Sequence, residues 1–313
     1  MWTEPKDVNT SLKSRISEHE GSGDWQMMQT GDKYYKSDNT KIMSRQKLMY
    51  MRDTNNHDYL VEDPYKANNK LASGFYKILV DQKVQYSLGK PVSIKSADGT
   101  VNMLDYLGRV SFPKALKRVG KSASKKSIGW AQVYIDALNQ FQLMHIPAEQ
   151  AIPVYREEDA DELEYFIRYY PVKMLNDKNE FVQVVKVEVW DELTVTLYRQ
   201  DPESKEYKLL KEKGLQNPRP HMVQKLSYGG TIAAAQSLSW GKVPFIPFYN
   251  NDERLYDLQQ VKRYIDVYDI VESDFANNLE DIQDIYWVLK GYNGENIDTF
   301  LAEVRRYKTL KVS

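Results

Sequence analysis

The 313 residues include no cysteine. That absence removes disulfide frameworks, thiolate metal sites and thiol nucleophiles together, and it fits synthesis in a reducing compartment. Long hydrophobic runs are missing as well. No stretch approaches the ~18 apolar residues that a membrane span takes, and Met1 to Asp7 contains no apolar core of the secretory kind. No membrane partner is expected. Histidine is scarce: His19, His57, His145 and His221 lie in separate segments, with no pair at the i, i+4 spacing of a helical metal site. The net charge of −1 neither draws the whole chain to nucleic acid nor makes it a polyacidic coil.

Catalytic signatures are equally thin. Gly120-Lys121-Ser122 ends like a phosphate loop, but the loop needs glycine five positions earlier, where Ala115 stands. It also needs a buried strand before it, and the preceding segment reads as a basic helix. No Gly-x-Ser-x-Gly elbow occurs. Carboxylates are plentiful and two could act as acid and base, but their clustering along a helix suits a solvated face. No catalytic residue, metal site or cofactor is assigned.

What the chain does have lies in its last quarter. From Asn251 to Asp284 there is no glycine and no proline. Leu255, Leu258, Val261, Ile265, Tyr268, Val271, Phe275, Leu279 and Ile282 recur at steps of three and four, the mark of one buried helical stripe. Ten acids and three bases give the segment a net charge of −7. Such a helix would reach roughly 45–50 Å, which suits a part of an assembly. In contrast, the stretch from Asp105 to Asp136 carries seven bases and no acid between its ends. It could contact phosphates, though a solvated face or an acidic neighbour explains it as well. The 23 tyrosines would suit interfaces, and equally a fold rich in tyrosine.

Along the chain the pattern predicts helices over 8–20, 40–52 and 63–88, then a hairpin around Ala97-Asp98-Gly99. The basic segment should be helical to Gly120 and loose at Ser122-Ala123-Ser124. Short β-rich runs follow at 132–136, 152–155, 166–170, 181–190, 194–199 and 207–210. Val243 to Tyr249 contains Pro244 and Pro247 and reads as an extended connector. Beyond the acidic helix, 285–289 should be extended, and a last helix should follow Asn296. The fold class is α+β.

Several segments, in order, carry a resemblance. They are Tyr34-Tyr35, Lys41-Ile42, Asn68-Asn69-Lys70, Leu79 through Tyr86 and Gly89-Lys90-Pro91. Then come Trp130 with Tyr134-Ile135-Asp136, Ile152-Pro153-Val154-Tyr155 and Ile167-Arg168-Tyr169-Tyr170. The fullest match runs from Pro244-Phe245 through Asn250-Asn251, Asp274 through Asp281, and Val288 through Tyr292. On these segments the chain resembles the portal, or head-to-tail connector, proteins of tailed bacteriophages, in the branch common among long-tailed phages of Gram-positive hosts.

The resemblance implies a non-enzymatic ring of roughly twelve copies at one capsid vertex of the virion, assembled in the host cytoplasm around a channel for double-stranded DNA. It implies a wing made of an N-terminal helical part, 1–60, and a mixed helix and antiparallel-sheet part, 61–250. A stem helix at 251–284 and the start of a clip at 285–313 follow. Family members continue into a second stem helix, a tunnel loop and a crown, so a fragment or a truncated copy is expected. Lys262, Asp266, Asp269 and Glu280 are the expected channel-lining groups, and Tyr292, Asn293, Glu295 and Arg305 the expected clip contacts. The implied partners are other copies, passing DNA, the terminase large subunit, head-tail connector proteins, scaffolding protein and the major capsid protein. On the residues alone two other classes stay open: a metal-dependent nucleic-acid-processing enzyme and a monomeric structural or binding module.

Overall fold

The computed structural model describes residues 5–64, 66–90, 92, 111–136, 140–159, 161–175, 179–212, 214, 216–228 and 231–282. In chain order the elements are α1 (Val8–Gly21), α2 (Gly23–Tyr35), α3 (Thr40–Met43), β1 (Leu48–Arg52), β2 (Asp58–Glu62), α4 (Phe75–Leu88) and α5 (Ser111–Lys126). Then follow β3 (Ile128–Ile135), β4 (Phe141–Ile146), β5 (Ala151–Tyr155), β6 (Leu163–Leu175), β7 (Phe181–Trp190) and β8 (Thr194–Gln200). The last are β9 (Tyr207–Leu209), β10 (Arg219–Pro220), β11 (Met222–Tyr228), β12 (Thr231–Leu238), β13 (Phe245–Tyr249) and α6 (Leu258–Ile282). The mixture of helices and antiparallel sheets is that of an α+β protein.

Two compact units divide the chain. The larger takes residues up to Asp32 and Ile78–Gln259. Its main sheet runs β10-β8-β7-β6-β5, with β9 also on β8, and every pairing is antiparallel. Alternation along the strands sorts the side chains onto two faces. Tyr165, Ile167, Tyr169, Val187 and Val189 meet Leu12 and Ile16 of α1 on one face. On the other, Phe166, Trp190, Val195 and Leu197 meet Trp130, Ile146 and Phe245. Those last three belong to a smaller sheet, β13-β3-β4. Phe166 stacks on Phe245 at 3.9 Å and meets the edge of Trp130 at 4.9 Å, each fully buried ring contributing about 2–3 kcal/mol. The main sheet is thus a layer between a helix and a second sheet.

The sequence-based expectations fare unevenly in this unit. The six β-rich runs fall on β3, β5, β6, β7, β8 and β9, whereas β4 and the β10 to β12 region were not anticipated. The expected connector at 243–249 is in part a strand, with β13 on the edge of its sheet and Pro247 opposite Trp130. An edge strand can lack one N–H without leaving a neighbour unpaired. Ser122-Ala123-Ser124 is helical and buried, because small side chains let α5 lie close against β3 and β4. The expected helix ending at Gly21 holds, but it is followed at once by α2, which the glycine pair had hidden. The predicted hairpin around Ala97-Asp98-Gly99 lies outside the described residues.

The smaller unit holds Lys33–Lys77 and, among the described residues, α6 from Gln260. Two expected helices shrink here. Only Thr40–Met43 is helical in the 40–52 segment, and Leu48–Arg52 instead pairs with Asp58–Glu62 in a two-stranded hairpin. Asp53 organises the hairpin turn by accepting the N–H groups of Asn55 and His57, with Asn56 at φ +66°. The helix expected over 63–88 begins only at Phe75. Residues 67–73 run extended, because their backbone N–H groups have another partner.

Candidate functional site

That partner is α6. The backbone N–H of Ser73 donates to Asp269 at 2.9 Å, and that of Leu71 to Ser273 at 3.0 Å. Those of Asn69 and Ala67 donate to Asn277 at 2.6 Å and Asp281 at 3.0 Å. Every second residue of an extended strap therefore meets every fourth residue of a helix. The match is geometric: two strand residues span about 6.7 Å and four helical residues about 6 Å. An extended segment without a strand neighbour would otherwise leave these donors unpaired, at about 1–3 kcal/mol for each one buried.

The ladder inverts the expected orientation of α6. Asp266, Asp269, Ser273 and Asn277 are buried, at 6% exposure or less, while Tyr264, Val267, Tyr268, Val271, Phe275 and Leu279 are 45–78% exposed. Of the stripe expected to be buried, Leu258 and Ile265 are, whereas Tyr268, Val271, Phe275 and Leu279 face outward. Leu255 lies ahead of the helix, which starts at Leu258 rather than near Asn251. Arg254 sits at φ +55°, and Asn251 bonds both the N–H and the carbonyl of Leu255. Asp257 is clamped by Lys83, Ser124 and Asn250. This turn consumes the residues that periodicity had given to the helix. The described helix is about 37 Å long.

A second set of polar contacts continues the buried face. The Tyr34 hydroxyl donates to Asp266, and Lys262 Nζ reaches the same carboxylate at 2.8 Å while lying 4.9 Å above the Tyr34 ring. Asn39 caps α3 with its carbonyl oxygen and donates its amide to Asp269 at 2.7 Å. Arg45 and Lys47 pair with Asp274 at 2.8 and 3.4 Å. Burial alone would raise the Asp266 pKa, but the hydrogen bonds from Lys262 and Tyr34 outweigh it and hold the carboxyl below its ordinary value. The Arg45 hydrogen bond does the same for Asp274.

Of the four residues expected to line a channel, Asp266 and Asp269 therefore point into the chain's own packing, and Lys262 is half-buried beside Asp266. Glu280 is exposed and accepts from Asn69 at 2.7 Å. Tyr292, Asn293, Glu295 and Arg305 lie outside the described residues. Sequence reasoning missed Tyr34, Asn39, Ser273 and Asn277. The available signal was the four-residue spacing Asp269, Ser273, Asn277, Asp281 beside an alternating segment at 67–73.

The histidines do not converge. His19, His145 and His221 are part-buried in separate places, each with its pKa lowered by burial, and His57 is on the hairpin turn. Among the described residues, no group of three or more His, Asp or Glu is placed to hold a metal ion. No helix there is long and apolar enough to cross a membrane. A cleft of about 330 Å³ in the larger unit has Asp161, Glu162 and Glu192 at its rim over Leu163 and Phe245, and Arg156 pairs with both glutamates.

The segments that carried the resemblance are one another's partners. Asn69 binds Asn277, and Lys83 binds Asn250 at 2.8 Å. A family profile described as phage portal protein, SPP1 Gp6-like, matches residues 16–313. The chain belongs to that portal family. It is 34% identical over 257 residues to a portal protein of Bacillus phage SPP1, covering 81% of this chain and 48% of that one. It is 29% identical over 270 residues to a portal protein of Clostridium phage phiCD119, covering 80% and 53%. The portal chain thus spans about half the length of the curated relatives it matches. Its ladder and clamp are built from the segments in which the portal likeness is densest.

Proposed function

We propose that this chain acts as one subunit of a homo-oligomeric portal ring, a virion component that conducts double-stranded DNA through a capsid vertex during packaging and ejection. The observation that carries the reading is the inversion of α6. A helix that buries its polar side chains and exposes six large apolar ones is suited to neighbours on its outer face. Membership of the portal family supports a ring of identical copies as the source of those neighbours.

In this reading the larger unit is the wing, α6 is a stem helix, and the chain beyond it begins the clip. The described helix keeps a net charge of −4, which disfavours adhesion of a polyanion and lets duplex slide past. Glu280 is the exposed member of the expected lining set and is carried forward as channel-facing. Asp266 and Asp269 instead hold the helix to the strap. Tyr292, Asn293, Glu295 and Arg305 are proposed as contacts for the terminase large subunit, with connector, scaffolding and major capsid proteins as further partners. The role is non-enzymatic; the terminase would supply ATP hydrolysis.

Native mass measurement with negative-stain imaging of the purified chain tests the reading. Closed rings with a central opening are expected. A chain that stays single at every accessible concentration would remove it. Alanine at the four clip positions should weaken terminase capture, and unchanged capture would remove that assignment alone.

A further inference from the structure

The smaller unit has a second uncovered apolar surface besides α6. The β1–β2 hairpin pairs only with itself among the described residues, so both its edges are open. It carries large apolar side chains on both faces, with Tyr50 74%, Leu60 53% and Met51 45% exposed. A lone two-stranded hairpin is marginal in water unless something packs on it. Taking about 150–250 Å² for each aromatic side chain and less for each aliphatic one, hairpin and helix face each expose on the order of 500 Å². Monomers seldom leave patches of that size open without a partner.

We infer that the β1–β2 hairpin of one subunit packs on the outward apolar face of α6 in the next copy of the chain. The inference rests on the portal-ring reading and names the surfaces that would join its subunits. Two different patches on one chain make a head-to-tail contact, which repeats around a ring and covers both patches at once. Pairing α6 with α6 would leave the hairpin bare. It would also set two helices of net −4 side by side, whereas Lys47 through Glu62 carries a net charge of −1. A standard interface takes about 800 Å² from each partner, and these two surfaces supply most of one.

The absence of cysteine makes the test clean. Tyr50→Cys and Val271→Cys each place a single thiol on an exposed site, at 74% and 61% exposure, so folding is preserved and circular dichroism checks it. Chains carrying one substitution each are co-expressed, purified as the assembly, and treated with a short bismaleimide. A covalent dimer in the mixed sample, several-fold above either variant alone, is expected. Assemblies of normal mass without that excess would overturn the inference and leave the ring intact. A dimer formed as strongly by the Val271→Cys chain alone would overturn it too, in favour of helix on helix. Native mass of the unsubstituted chain, taken first, separates these outcomes from failure of the ring reading, which a purely monomeric chain would show.

Discussion

The Asp269 carboxylate accepts the backbone N–H of Ser73 at 2.9 Å and, through its other oxygen, the side-chain amide of Asn39 at 2.7 Å. One fully buried side chain thereby ties three segments of the smaller unit together. A helix face rich in acids and amides is ordinarily turned to water. Here it serves as a receptor for main chain, which leaves the apolar face free for other contacts.

The ladder should fail rung by rung. Asn277→Leu keeps the volume of a buried side chain but leaves the Asn69 N–H without its acceptor. A loss of about 1–3 kcal/mol is expected in chemical denaturation. Amide exchange should accelerate across residues 67–73 and leave β6 and β7 unchanged.

Two windows of pH should destabilise the fold. Burial, and then the neighbouring Lys126 charge, lower the His145 pKa from 6.5 to about 4. The unfolded chain therefore binds the proton more tightly between those values, so stability falls as pH drops from 6.5 towards 4. On the order of 2 kcal/mol is at stake. His145→Gln should flatten that window in urea titrations at successive pH values.

Below it a second loss begins. Burial would raise the Asp32 pKa, but hydrogen bonds from Lys125 and Lys126 outweigh it and the net shift is downward, as it is for Asp266. Their stabilisation is present above the ordinary 3.8 and disappears as pH falls through the lower folded-state value. Asp266→Asn should weaken the chain by about 1–2 kcal/mol at pH 7 and make the limb below pH ~4 shallower.

Gly31 tests the packing of α2 on α5. A Cβ added there would lie 2.1 Å from the Lys125 carbonyl oxygen, a backbone atom that cannot swing aside. Gly31→Ala should cost about 2–3 kcal/mol despite the better helix propensity of alanine, read as a lower unfolding midpoint.

Phe275→Asp should separate assembly from folding. The ring is 64% exposed, so the single chain should change by no more than about 0.5 kcal/mol. Self-association should weaken sharply, measured by sedimentation at matched concentrations.

Much of this protein was legible in the residues alone. Val187, Val189 and Trp190 alternate as a strand must, and β7 is where that alternation placed it. Leu258, Ile265 and their successors required a long helix, and α6 is there. Its orientation was not legible. Apolar periodicity says that one face differs from the other, and it assumes the apolar one turns inward. That assumption failed because residues 67–73, far off in sequence, bring four unpaired N–H donors that only polar side chains can satisfy. The same donors explain why the helix expected from Asp63 starts only at Phe75. Local sequence fixes which elements can form, through steric and solvation preferences of near neighbours. Which face each turns inward depends on pairing buried donors with acceptors across the chain, and only the tertiary structure settles that.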